Sequence, residues 1–183
     1  MIRTVYVYGS PVLRKVAQNI TPDYPQLDAL IADMFETMEQ SDGIGLAAPQ
    51  IGLSIRLFVV DGTPLADDDP TLKDFRKAFI NAQITERFGE KVIYNEGCLS
   101  LPGLHEDVER ESKVRIRYHD EKFVEHEEVY EGMAARIIQH EYDHLDGILF
   151  TDRVSPIRKQ LLRSKLNAIV KGKYSASYKC RIG

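Results

Sequence analysis

His140, Glu141 and His144 stand in the spacing His-Glu-x-x-His, inside the run Gln139-His140-Glu141-Tyr142-Asp143-His144. On a helix, positions i and i+4 lie about 40° apart around the axis and one turn apart along it. Two imidazoles so placed can share one metal ion, and the neighbouring carboxylate of Glu141 can take a proton from a water on that ion. A catalytic site of this type needs three protein ligands and one open position. Without a third ligand, the same residues read as a polar helix face with two surface histidines.

Cys98 is the candidate third ligand. It lies in Glu96-Gly97-Cys98-Leu99-Ser100-Leu101-Pro102-Gly103. A lone cysteine is ordinarily a small buried hydrophobe. Here glycine and polar neighbours follow a strand in a turn-rich stretch, where backbone approaches a ligand closely. A thiolate with two neutral imidazoles makes a Cys-His-His set with one position left for water. The thiolate leaves the cation less Lewis-acidic than three imidazoles would, yet a bound water is still markedly acidified. The small-residue segment Gly43-Ile44-Gly45-Leu46-Ala47-Ala48-Pro49-Gln50 has two readings. One is a tight turn packed on the helix. The other is an extended substrate edge with Gln50 aimed at the metal, its amide donating to a developing oxyanion.

These segments need elements to hold them. Apolar residues at 27, 30, 31, 34, 35 and 38 predict a helix over 27–40, stopped by Gly43. A short strand opens the chain and ends in a turn at Gly9-Ser10-Pro11. Leu57-Phe58-Val59-Val60 reads as a buried strand, followed by a polar loop over 61–76. Residues 78–88 and 91–95 read as a strand pair turning at Gly89-Glu90. Val114, Ile116 and Tyr118 alternate with Arg and Lys, the pattern of a half-buried strand, and 124–130 should pair with it. The metal-binding helix runs from about Gly132 to Leu145, with Gly147 as its stop. Ser155-Pro156 caps a last amphipathic helix through Val170. Segregated helices and hairpin-like strands argue for an α+β fold, antiparallel or mixed sheets packed around the central metal-binding helix, with one helix N-terminal and one C-terminal. No linker or repeat divides the chain, so residues 1–183 are expected to form one catalytic domain.

Composition narrows the class. At 183 residues, 43% hydrophobic and 28% charged, the chain is that of an ordinary globular domain. No run of about 18 apolar residues exists, so no membrane span or membrane partner is expected. The N-terminus lacks the apolar stretch of a signal peptide, and with two cysteines a reducing cytoplasm is expected. From Pro156 to Gly183 there are eight Lys or Arg and no acid, whereas residues 120–131 carry six acids and one Lys. Both read as solvated surface, or the basic tail as a contact with a nucleic-acid-rich partner.

Taken together, Gly43–Gln50, Glu96–Ser100 and Gln139–His144 resemble the peptide deformylase family, whose pattern is G-x-G-x-A-A-x-Q, E-G-C-x-S and Q-H-E-x-D-H in this order. Every fixed position is matched, and the resemblance runs from about residue 5 to 170. It implies a bacterial hydrolase that removes the N-formyl group from the initiator N-formylmethionine of new polypeptides, releasing formate. It implies metal ligands Cys98, His140 and His144, and one divalent ion, Fe2+ physiologically, with Zn2+, Ni2+ or Co2+ able to occupy the site. No cofactor beyond the metal is implied. Glu141 would be the base, and the Gln50 side chain with the Leu99 backbone N–H would hold the oxyanion. The peptide would lie as an added strand beside Ile44-Gly45 and Gly97, with its methionine in an apolar pocket lined by Ile44 and Ile137. A pairing of Glu96 with Arg110 would brace the Cys98 turn, and the C-terminal helix and tail, 156–183, would dock on the ribosome near the exit tunnel. Two departures stand out: the 61–76 loop is long, and Arg136 stands where some members carry an apolar residue. The rivals are an HExxH zinc peptidase, against which Cys98 and Gln50 argue, and a peptide-binding module with a structural metal, which has no need of Glu141 or Gln50.

Overall fold

The computed structural model describes residues 1–183. In chain order the elements are β1 (Val5–Tyr6), α1 (Leu27–Gln40), β2 (Gly45–Ala47), β3 (Leu57–Asp61), β4 (Arg76–Cys98), β5 (Leu101–His119), β6 (Glu125–Glu131), α2 (Gly132–Leu145), α3 (Pro156–Val170) and β7 (Cys180–Arg181). Strands β2 to β6 form one antiparallel sheet in sequence order, and β1 pairs with β7 in parallel. This is the mixed α+β arrangement that the sequence implies, with α2 at its centre.

Strand β3 explains how the sheet serves two helices. Side chains alternate across a strand. Leu57 and Val59 pack with Leu30, Ile31, Met34 and Met38 of α1, while Phe58 and Val60 pack with Ile138, Tyr142 and Leu145 of α2. Both faces are therefore apolar, which is why the sequence run is continuous rather than alternating. The Phe58 and Phe79 rings stack at 4.7 Å between centroids, with Tyr118 at 4.4 Å from Phe79. Each such fully buried large side chain contributes roughly 1.5–3 kcal/mol. A third apolar cluster, with Leu101, Leu104, Val108, Phe150 and Leu162, seats α3 against the start of β5.

One expected turn is absent. Residues 78–88 and 91–95 do not fold back on each other at Gly89-Glu90; they belong to the single 23-residue strand β4, which pairs with β3 at its start and with β5 from Ile80 to Cys98. Gly89 has φ of +80° and sits at a register shift between Phe88 and Lys91. Its left-handed backbone makes a bulge, which bends a strand without ending it. The real hairpin turn is at Leu99-Ser100, beside the candidate ligand Cys98. The 61–76 segment is also less purely polar than its composition suggests. It holds two short 3-10 turns, and Leu72 and Phe75 anchor it in the core.

Helix α2 ends in a built socket. Arg56 is buried and donates to the carbonyls of Ala82 and Leu145 and to Asp146. The Ala17 N–H also donates to Leu145 O at 2.8 Å. These donors satisfy carbonyls that a helix terminus leaves open. Replacing Arg56 by Met should strand the Ala82 carbonyl and cost about 2–3 kcal/mol, measured by urea unfolding. A loss below about 0.5 kcal/mol would mean the socket is not what holds this helix end.

Candidate active site

Helix α2 presents His140, Glu141 and His144, and the end of β4 presents Cys98. One ligand atom from each of Cys98, His140 and His144 lies within 4.8 Å of the others, and Cys98 Sγ is 3.4 Å from His144 Nε2. Ligands of a tetrahedral site with bonds of about 2.3 Å to sulfur and 2.0–2.1 Å to nitrogen sit some 3.3–3.6 Å apart. The spacing therefore fits a metal ion. Burial pushes the pKa of His144 down to about 3, so its ring is neutral with a lone pair free. Burial also disfavours charge on His140, but Cys98 and Glu96 outweigh it and raise that pKa well above the usual value. Glu96 Oε1 accepts a hydrogen bond from His140 Nδ1–H at 2.8 Å, which leaves Nε2 to face the site.

Glu96 is part of a larger buried network. Arg110 donates to it through Nε and Nη2 at 2.7 and 2.9 Å, and Arg136 adds Nη1 at 2.6 Å. The third arm of Arg110 reaches Asp143 Oδ2 at 2.8 Å, and Arg153 grips the same carboxylate at 2.6 and 2.7 Å. Burial opposes charge on Glu96, yet the hydrogen bonds from His140 and Arg110 hold its carboxyl well below the usual carboxylate range. Asp143 is held low in the same way, by Arg153 and Arg110 against its burial.

Glu141 is different. It is only 5% exposed, and its Oε2 has no hydrogen-bond partner. Burial pushes its pKa up to about 7. Gly45 passes so close that a Cβ there would lie 2.5 Å from Glu141 Oε1, so glycine is what lets β2 approach this carboxylate. Gln50 is buried beside them. Its Oε1 accepts from the Ala47 N–H at 2.9 Å, which turns Nε2 toward Ser100 Oγ at 3.1 Å and Cys98 Sγ at 3.4 Å. The Leu99 N–H donates to no group of the protein.

These groups open into a cavity of about 380 Å3. Ile44, Gly45, Gly97 and Ile137 all line it, together with Met133. Ile137 does double duty, since it also packs in the core between α2 and the sheet. Sequence reasoning missed Arg153, Ser100 and Tyr178. Tyr178 lines the cavity and donates to Leu99 O at 2.6 Å. Only Ser100 carried a local signal, as part of a matched motif. Arg153 and Tyr178 come from segments with no periodicity that points inward. Arg136, noted as a departure, turns its guanidinium to Glu96 and to the carbonyls of Val92 and Val108.

Comparison with known proteins agrees with this geometry. The family model described as polypeptide deformylase matches residues 2–160. Peptide deformylases of Christiangramia forsetii and Flavobacterium johnsoniae are each 50% identical to this chain, over 99% of it and 96% of their own length. Among solved structures, the peptide deformylase of Thermus thermophilus is 41% identical with a TM-score of 0.83, covering 94% of this chain and 99% of its own. That of Plasmodium falciparum is 36% identical with a TM-score of 0.83, covering 92% and 96%. With the match spanning nearly the whole chain, the protein belongs to the peptide deformylase family of metal-dependent hydrolases.

Proposed function

We propose how this site divides the work of removing the N-formyl group from the initiator N-formylmethionine of a new polypeptide. Cys98, His140 and His144 hold one divalent metal ion. The observation that carries the reading is Glu141, a buried carboxylate with one oxygen unpartnered and the other 4.0 Å from Nε2 of the ligand His140. A structural metal has no use for such a group.

A divalent ion bound there would acidify a water molecule and polarise the formyl oxygen. Glu141 takes the proton of that water as its oxygen attacks the formyl carbon, and passes the proton to the leaving nitrogen as the C–N bond breaks. Formate and a free amine result. Two donors face the charge that develops on the formyl oxygen. One is the Leu99 N–H, which has no other acceptor. The other is the Gln50 amide. One of its N–H groups is held by Ser100, and the other, against sulfur at 3.4 Å, is the one available to a developing oxyanion beside Cys98. Such preorganised donors are each worth about 3–4 kcal/mol of barrier.

The peptide lies as an extra strand along Ile44-Gly45 and Gly97, whose backbones border the cavity. Its methionine side chain enters beside Ile44, Met133 and Ile137. The metal is Fe2+, as the family resemblance implies; the sulfur and nitrogen donors also accept Zn2+, Ni2+ and Co2+. The cysteines are free thiols and the two relatives at 50% identity are bacterial, which supports work in the bacterial cytoplasm. On α3, Lys159 and Arg163 are exposed four residues apart on one face, with no acid in the helix. That face suits docking on the ribosome near the exit tunnel.

Three outcomes test this division. Glu141→Gln should retain the metal and lower kcat for formyl-Met-Ala-Ser by about 10²–10⁴-fold; near-normal turnover would remove Glu141 from the mechanism. Protein purified without oxygen should contain close to one iron per chain by elemental analysis, and zinc in its place would correct the metal assignment. A Lys159→Glu, Arg163→Glu variant should sediment less with ribosomes at low salt while turning over the free tripeptide normally; unchanged sedimentation would end the docking proposal.

A further inference from the structure

The last eleven residues, 173–183, hold no helix, yet they return to the catalytic centre. Chain ends fray unless they are tied down. Here β7 pairs in parallel with β1, Val5↔Cys180 and Tyr6↔Arg181. The Val5 N–H donates to Lys179 O at 2.9 Å, the Val7 N–H to Arg181 O at 3.0 Å, and the Gly183 N–H to Ser10 Oγ at 3.2 Å. This short ladder places Tyr178 against the turn after Cys98.

That turn is held from three sides. The Ser100 carbonyl accepts from the Tyr8 N–H at 2.8 Å, next to β1. The Ser100 hydroxyl accepts from Gln50. The Leu99 carbonyl accepts from the Tyr178 hydroxyl at 2.6 Å, and from no other group. Leu99 is thus fixed through its carbonyl by the C-terminal segment, while its N–H points to no protein acceptor.

We infer that Tyr178 is a positioning residue for the reaction: its hydroxyl fixes the Leu99–Ser100 peptide and, with Cys98 held on the other side, limits rotation about the Leu99 Cα so that the N–H of the Cys98–Leu99 peptide faces the formyl oxygen. The inference rests on the role given to Leu99 above. An oxyanion donor acts only when it sits about 2.7–3.1 Å from where the charge develops, and a peptide in a two-residue turn has freedom to rotate out of that position. The tail therefore does more than present positive charge. It closes the turn between the ligand Cys98 and the strand β5.

Tyr178→Phe removes the hydroxyl and keeps the ring on the cavity wall. With metal-loaded enzyme and formyl-Met-Ala-Ser, kcat should fall about tenfold with KM unchanged, the scale of one hydrogen bond lost from the transition state. Melting temperature and metal content should stay at wild-type values. In the zinc-loaded protein, the amide signals of Leu99 and Ser100 should shift in 15N–1H spectra while those of α2 stay in place. Wild-type release of formate with an unchanged kcat in the variant overturns the proposal alone, whether or not the amide signals move. A fall in kcat matched by loss of metal or of melting temperature overturns it too, because Tyr178 would then only support the fold. No formate from the wild-type protein overturns the deformylase reading along with it.

Discussion

Arg110 is the hub of this structure. One guanidinium, 3% exposed, joins a carboxylate of β4 to a carboxylate of α2. Each buried ion is costly to desolvate, so the arrangement is tolerable only when every charge meets its partners at once. That condition fixes the position of α2 over the β4–β5 hairpin. Against an apolar replacement such a network adds little stability, and its contribution is geometric. The geometry is what the site needs. Glu96 lies two residues before Cys98 and orients His140, while Asp143 directly precedes His144. All three candidate ligands are therefore set by one salt-bridge network rather than by three separate packing contacts.

The hairpin must also bend to bring Cys98 under the helix. Strands β4 and β5 pair along most of their length, with register shifts between Ile80 and Gln83, Ile84 and Glu86, Phe88 and Lys91, and Gly97 and Cys98. Each irregularity adds twist and re-aims the next residues of the strand. The last one matters most. Gly97 has no side chain because a Cβ there would meet the His105 ring at 2.5 Å, and only past that point does the chain turn its thiol toward α2. Small residues at 45 and 97 are thus required by close approach, to Glu141 in one case and to His105 in the other.

The contrast between local pattern and distant contact also decides how much of the fold is legible in the sequence. Helices α1, α2 and α3 are readable to within a residue or two because each has its own periodicity and its own end signals. Strand β6 is readable because polar and apolar positions alternate in the strand it joins. The ligand spacing in α2 is local, five residues long, so it is visible before any fold is known. The continuity of β4 is not. Gly89-Glu90 has the chemistry of a turn, and only the pairing with β5 across the bulge shows that the strand runs on. Likewise Arg110 stands 14 positions from Glu96 and 33 from Asp143, and no local rule joins them. Glu96 and Arg110 come into view through family resemblance. The Arg153 grip and the Tyr178 contact need the fold itself.

Among the buried carboxylates, what remains unbalanced is confined to one place. Glu96 and Asp143 are matched by guanidinium groups, and Arg56 closes the end of α2. Glu141 alone keeps a carboxylate oxygen buried without a partner, beside a His144 that burial holds neutral and a His140 whose surroundings favour positive charge. An unpartnered buried carboxylate is destabilising. It persists here because α2 is fixed at both its carboxylate network and its C-terminal socket, so Glu141 cannot relax toward a partner without undoing them. The same three features cease to be costs when a cation, a water and a substrate nitrogen share the space. A fold that uses its rigidity to hold one carboxylate ready is arranged for proton transfer, and the apolar cavity beside it determines which amide is presented.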